Sequence, residues 1–298
     1  MADESINFGP RPGIIGYPKR AWDFIRRWPV IPVIILALLI FSAVFAPIVA
    51  PHSPYDQSLR DRTTAPAWDE NGSSKYLLGT DHVGRDVLSR VIHGARISLM
   101  VTLVALGSGI LIGVTLGLIA GWYGGFFDEI IARIVDIWLA LPFLLVALVV
   151  VIVFGQSVPT MMLVLAMVSW STFVRNVRAE VLTLKTRDYV ELARVAGAST
   201  PRILIKHIIP GVVNTVFVIA TLNVGGLILT EATLSFLGAG IPSPTPAWGL
   251  MVAEGRDYLR SHWWIPVVPG TAIALVVMSL NFLGDWLRDR FDPRLRQI

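Results

Sequence analysis

The chain has 298 residues, of which 54% are hydrophobic and 15% charged, with a net charge of +4 and a mean hydropathy of +0.65. A soluble domain carries about 25% charged residues, so this composition cannot cover a water-facing surface and indicates an integral membrane protein. The chain has no cysteine, which excludes disulfides, thiol catalysis and cysteine-ligated metal.

Apolar runs long enough to cross a bilayer as helices, about 20 residues each, predict six spans. They cover residues 29–50, 97–121, 129–154, 158–176, 210–235 and 263–285. The first is preceded by a 28-residue tail and exceeds the apolar region of a leader peptide, so it reads as a span. A loop, 51–96, follows it. The second span carries Gly109, Gly113, Gly117 and Gly121, a spacing that lets helix backbones approach closely. Packing within the chain, a subunit interface and a seam that slides during transport are all compatible with that stripe.

The third span contains Pro142, where a kink is expected. Its Arg133 and Asp136 are three apart, on one helix face, where they can pair. Gly155-Gln156-Ser157 is the turn into the fourth span, and a polar segment, 177–209, separates the fourth from the fifth. Glu231 stands near the outer end of the fifth. An ionisable group there is a functional hypothesis by default: it faces water, caps a loop or lines a path. A second loop, 236–262, and a tail, 286–298, complete the chain.

Basic residues set the expected orientation. The tail 1–28 carries five, segment 177–209 with Arg175 carries seven, and the final tail carries four. Loop 51–96 has six, matched by six acids, and loop 236–262 has two. Both termini and the 177–209 segment therefore read as cytosolic. Trp28, Trp122, Trp263, Trp264 and Trp286 fall near span ends, as interfacial residues do.

Segment 189–210 predicts a short helix, a turn and a second short helix. Gly197 can end the first helix. Ser199 or Thr200 can cap the second, and Pro201 suits its first turn. Arg194, Arg202 and Lys206 are expected on exposed faces, where they can meet acids on a partner. In loop 51–96, Asp81, Gly84, Arg85 and Asp86 read as a salt-bridged structural turn, or as a contact for another protein. Asp81, His82, Asp86 and His93 lack the spacing of a metal site. No G-x-x-x-x-G-K-[ST], G-x-S-x-G or H-E-x-x-H occurs, so ATP-driven work would need a partner.

Glu191, Ala193, Gly197 and Pro210 stand at positions 1, 3, 7 and 20 of a pattern that resembles the "EAA" signature of ABC importer permeases, with Leu192 for the usual alanine. Three further stretches resemble the C-type permease of oligopeptide and dipeptide importers, a type shared by nickel and glutathione importers. They are Leu78-Gly79-Thr80-Asp81-His82 through Ser98-Leu99, Glu231 through Gly238 leading into Trp248-Gly249, and Leu283 through Arg294.

The resemblance implies an all-α integral membrane protein with the six-helix, MetI-like permease fold, in a prokaryotic inner membrane. It implies half of a translocation pathway, shared with a homologous second permease. Two cytosolic ATPases would dock on the coupling segment through Glu191, Ala193, Arg194, Gly197, Arg202 and Pro210. A substrate-binding protein would deliver cargo outside. The chain would bind no cofactor, ATP and Mg being used by the ATPases, and would contact lipid but no nucleic acid. Peptide is the expected cargo, with nickel or glutathione the alternative. The reading from another class is a proton-coupled secondary transporter with Asp136 or Glu231 as relay. No inverted repeat is visible to support it.

Overall fold

The computed structural model describes residues 29–291. The tail 1–28, Trp28 included, and residues 292–298 of the final tail lie outside the described residues.

Helix α1 is Val30–Val49 and α2 is Val87–Tyr123. Next come α3, Gly125–Ala140, α4, Phe143–Phe154, and α5, Val158–Leu184. Short α6, Asp188–Val195, precedes α7, Thr200–Phe236. Short α8, Trp248–Gly255, and long α9, Trp264–Phe291, complete the set. Among the described residues there is no named strand. Helices dominate because lipid offers backbone groups no partner, so each span must satisfy its own.

Five helices are long and apolar enough to cross a bilayer, and the α3–α4 pair makes six if counted as one span. That pair corrects the expectation of a single kinked third span. The two helices meet at 85°. Apolar character runs unbroken through the bend, but Pro142 lacks an N–H, and Leu141 before it is extended, at φ −79° and ψ 130°. The residue before a proline is pushed out of the helical region. Thus α3 ends at Ala140, and Pro142 starts α4 afresh.

Helices α2 and α5 pack as a parallel pair. A Cβ on Gly109 would lie 1.9 Å from Ser169 Oγ. On Gly113 it would lie 2.4 Å from Phe173 Cβ, on Gly117 2.8 Å from Val177 Cβ, and on Gly121 2.7 Å from Val181 Cβ. The four glycines therefore face α5 of the same chain, which places the stripe inside the subunit rather than on an interface between subunits. Ser169 Oγ donates to the Ala105 carbonyl across the seam at 2.9 Å. Between lipid-immersed helices, close van der Waals contact of this kind replaces the hydrophobic driving force of a soluble core. Because α2 and α5 run the same way, the chain between them must return across the bundle, and α3–α4 is that return.

One core cluster joins α1, α2, α7, α8 and α9 around Ile228, Trp248 and Trp264. A second joins α2, α4, α5 and α7 around Val101, Leu165, Phe173 and Leu234. Residues 51–86 form a lobe over the start of α2. Trp264 Nε1 donates to the Thr80 carbonyl at 3.1 Å and Trp248 Nε1 to the Val91 carbonyl at 2.8 Å, so both indoles pin the lobe end.

Candidate functional site

Two groups of residues carry the chemistry singled out by the sequence, and they lie at opposite ends of α2. Trp122, at the last turn of α2, meets α6, whereas Asp86 caps its first turn, about 50 Å away at 1.5 Å per residue.

At the α6 end, Asp188 and Glu191 stand in the first helical turn, where negative charge favours the helix dipole. The helix ends in a Schellman arrangement: the Ala198 N–H donates to the Ala193 carbonyl, and the Gly197 N–H to that of Arg194, both at 3.0 Å. Gly197 takes φ +78°, a left-handed conformation that glycine adopts without penalty. Ser199 precedes the next helix but makes no side-chain cap, contrary to expectation, and Pro201 occupies its first turn.

That next helix is not a separate short element. It is the start of α7, which continues through a π-helical turn at Leu204–Ile208. In a regular helix the ring of Pro210 would collide with the carbonyl four residues back, that of Lys206. The wider turn just before it lets the helix pass the proline unbroken.

Val190 is fully buried and packs with Val177, Val181, Ile203, Ile208 and Val212, with Ala193 against the same cluster. α6 is thereby anchored on α5 and α7. Its opposite face leaves Leu192 68% and Val195 86% exposed, with Tyr189 and Ile205 also open. Glu191, Arg202, Lys206 and Pro210 are exposed around them. Arg194 is exposed as expected, and its guanidinium lies over the Trp122 ring, 5.4 Å from the centroid. The exposed apolar residues were missed by sequence reasoning. Their signal was apolar character on both faces of an eight-residue helix.

At the lobe end, Asp81 organises the turn. Its Oδ1 accepts the N–H groups of Val83 and Arg85 at 3.0 and 2.9 Å. Its Oδ2 accepts Arg85 Nε at 2.6 Å and an Arg90 guanidinium nitrogen at 2.9 Å. Both arginines also reach Glu254 of α8, at 2.8 and 3.3 Å. Arg85 and Arg90 are almost wholly buried, and each bonds two carboxylates. Gly84, at φ +83°, passes so close to Ser58 that a Cβ would lie 1.9 Å from its carbonyl oxygen. Asp86 accepts the Ser89 N–H at 3.0 Å as N-cap of α2, and His52 Nδ1 lies 3.4 Å from it.

Asp81, His82 and Glu254 bring ligand atoms within 4.8 Å of one another. Both carboxylates already face two guanidinium groups, so a cation would meet two positive charges there. His93 lies apart, its Nδ1 bonded to the Ser89 carbonyl. Elsewhere in the lobe, hydrogen bonds from Tyr76, Ser58 and Lys75 hold the Asp61 carboxyl below the usual aspartate range.

Glu231 is buried, 1% exposed, and accepts a hydrogen bond from Ser235 at 2.8 Å. The exposed face of α7 carries Leu229 and Thr233 instead, so Glu231 does not line that face. The expected Arg133–Asp136 pair is also corrected. Asp136 bonds to Arg175 of α5 at 2.9 Å, and Asp128 takes a two-pronged bond from Arg178.

Residues 113–297 match the family model for "Binding-protein-dependent transport system inner membrane component". Residues 26–66 match the "N-terminal TM domain of oligopeptide transport permease C". The chain is 45% identical over 279 residues to the "Dipeptide transport system permease protein DppC" of Escherichia coli K12, covering 93% of each. It is 43% identical over 261 residues to the "Di/tripeptide transport system permease protein DppC" of Pseudomonas aeruginosa, covering 88% of this chain and 86% of that protein. Among solved structures, an inward-facing MetNI methionine ABC transporter aligns with a TM-score of 0.55 at 21% identity, over 66% of this chain and 94% of that one. An amino acid ABC transporter aligns with 0.53 at 15% identity, over 68% and 95%. These last two likenesses are of fold.

Proposed function

The chain belongs to the family of binding-protein-dependent transport system inner membrane components, and from that premise we propose that it is a permease subunit of an ATP-driven importer of di- and tripeptides. It lies in the inner membrane as a multi-pass protein, with α6 and both termini toward the cytosol. A homologous second permease completes the pathway. Two ATPases lie below, and a substrate-binding protein delivers peptide to the lobe end.

The observation that carries this reading is the exposed apolar pair Leu192 and Val195 on a short helix rimmed by Glu191, Arg202 and Lys206. Apolar side chains at the tip of a polar segment, outside the bundle, are a docking edge that a soluble partner covers. ATP binding closes the two ATPases and draws the docked α6 helices of the two permeases together. Because α6 is fixed to α5 and α7, the motion passes into the bundle as rigid-helix displacement. This chain makes and breaks no bonds and holds no cofactor of its own. ATP and Mg are used in the ATPases.

The test is ATP hydrolysis by the complex in nanodiscs, assembled with its second permease and ATPases. The binding protein loaded with a dipeptide is expected to stimulate hydrolysis. Assembly without that stimulation would remove peptide as cargo, and failure to bind any ATPase would remove the docking role of α6. Gly197→Pro and Glu191→Lys are each expected to leave the protein in the membrane but separate hydrolysis from uptake.

A further inference from the structure

Helix α3 is joined by ion pairs to the body that carries α6, whereas α4, across the bend, is joined to the bundle by apolar packing alone. Ile131 and Val135 of α3 are buried with Ala120 of α2 and Val174 of α5. Arg178 of α5 grips both oxygens of Asp128, a bidentate pair with a fixed relative orientation. Arg175, one turn earlier on α5, bonds Asp136 at 2.9 Å, so α3 is fastened to α5 at two points along its length. Lys185, next to the end of α5, donates to the Gly121 carbonyl of α2 at 2.9 Å, close to where Arg194 meets Trp122. By contrast, α4 has no polar side chain and meets the bundle through apolar contacts alone, Ala147 buried and Phe143, Val150 and Val151 packed against the cluster of α2, α5 and α7.

We propose that Asp128 and Arg178 form a strut that makes α3 move with α2, α5 and α6, so that the 85° bend at Leu141–Pro142 is where the motion is released to α4. The inference rests on the importer reading above. Both residues are positioning residues for coupling. The bidentate pair matters more than Arg175–Asp136, because the latter is more than half exposed at both partners and therefore weak.

The absence of native cysteine allows a direct test in the complete complex, with ATPases and binding protein present. Spin labels placed through Thr183→Cys with Glu129→Cys report the distance from α5 to α3. Labels placed through Thr183→Cys with Ile152→Cys report the distance from α5 to α4. On trapping ATP, the first distance is expected to stay constant and the second to shift by several ångström. Equal shifts in both, or a shift in the first alone, would overturn the strut.

Asp128→Asn is expected to lower peptide uptake per ATP hydrolysed by at least several-fold while basal hydrolysis persists. The exchange Asp128→Arg with Arg178→Asp is expected to restore most of the coupling, which a general loss of stability would not allow. Wild-type uptake per ATP in Asp128→Asn would overturn the proposal. If that variant does not assemble, the two wild-type distances decide the matter. Failure of the loaded binding protein to stimulate the wild-type complex would overturn the importer reading together with the strut. Stimulation accompanied by movement between α3 and α5 would overturn the strut alone.

Discussion

The guanidinium of Arg194 lies over the indole of Trp122, 5.4 Å from the ring centroid, and joins the end of α6 to the last turn of α2. An exposed cation–π contact stabilises by about 0.5–1 kcal/mol. That is small against folding, but it lies where α6 would transmit force. Arg194→Ala and Trp122→Ala are each expected to keep basal ATP hydrolysis and weaken its stimulation by loaded binding protein, while Arg194→Lys retains part of it. A double variant no worse than either single one would be the signature of a shared contact. Fully additive losses would show that the two residues act separately.

The glycines of α2 predict a contrast in stability. Gly113→Ala places a Cβ 2.4 Å from Phe173 Cβ and 2.6 Å from the Trp170 carbonyl oxygen, neither of which can withdraw without parting the helices. Overpacking of this kind costs about 1–3 kcal/mol. Gly107, on the same helix, has nothing within 4 Å of its Cβ position. Gly107→Ala is therefore expected to leave thermal stability in detergent unchanged or slightly raised, since alanine is the better helix former. A drop in melting temperature for Gly107→Ala as large as that for Gly113→Ala would argue against the α2–α5 seam as drawn.

Much of this architecture was legible because bilayer helices announce themselves by length and hydropathy. The third span shows the limit. Its apolar run from Ile137 to Phe154 is continuous, so hydropathy alone cannot separate a kink from a turn of 85°. What decides it is the extended backbone at Leu141.

Partner choice was similarly hidden. Spacing rules compare residues on one helix and so nominated Arg133 for Asp136, whereas the bond goes to Arg175 on another. Arg194 looked free because Trp122 belongs to a distant helix. The glycine stripe could be recognised from its period, but which helix it meets is a property of the fold. At the coupling segment the sequence singled out charges and the Gly197 turn, while Leu192 and Val195 became visible only once Val190 was seen to take the inward face.

The buried charges of the lobe predict an asymmetry. Arg90 is fully buried and bonds both Asp81 and Glu254. Arg90→Met leaves those carboxylates with Arg85 alone, and breaking a buried pair from one side typically costs about 3–5 kcal/mol. The variant is expected to lose thermal stability and to expose residues 79–90 to protease. Combining Arg90→Met with Glu254→Gln removes one charge of each sign and is expected to recover part of the loss. If the double variant is less stable than Arg90→Met, the network is not balanced by charge in the way its geometry suggests.

The lobe also carries an acid-sensitive point at Asp61. Tyr76, Ser58 and Lys75 all hydrogen-bond its carboxylate and depress its pKa, Tyr76 most strongly. A carboxylate whose folded pKa lies below its unfolded value contributes stability that is present above the unfolded value, about 3.9, and is lost as pH falls through the folded one. Local order around residues 58–64 is therefore expected to be insensitive to pH across the neutral range and to decline only below about pH 4. Hydrogen exchange at the Asp61 and Thr63 amides, which bond to the Ser58 and Asp81 carbonyls, reads that order directly. Asp61→Asn removes the titrating group, so its exchange should be faster than wild type at pH 7 and should not accelerate further on acidification beyond the intrinsic chemical rate. An unchanged acid response in Asp61→Asn would show that Asp61 is not its source.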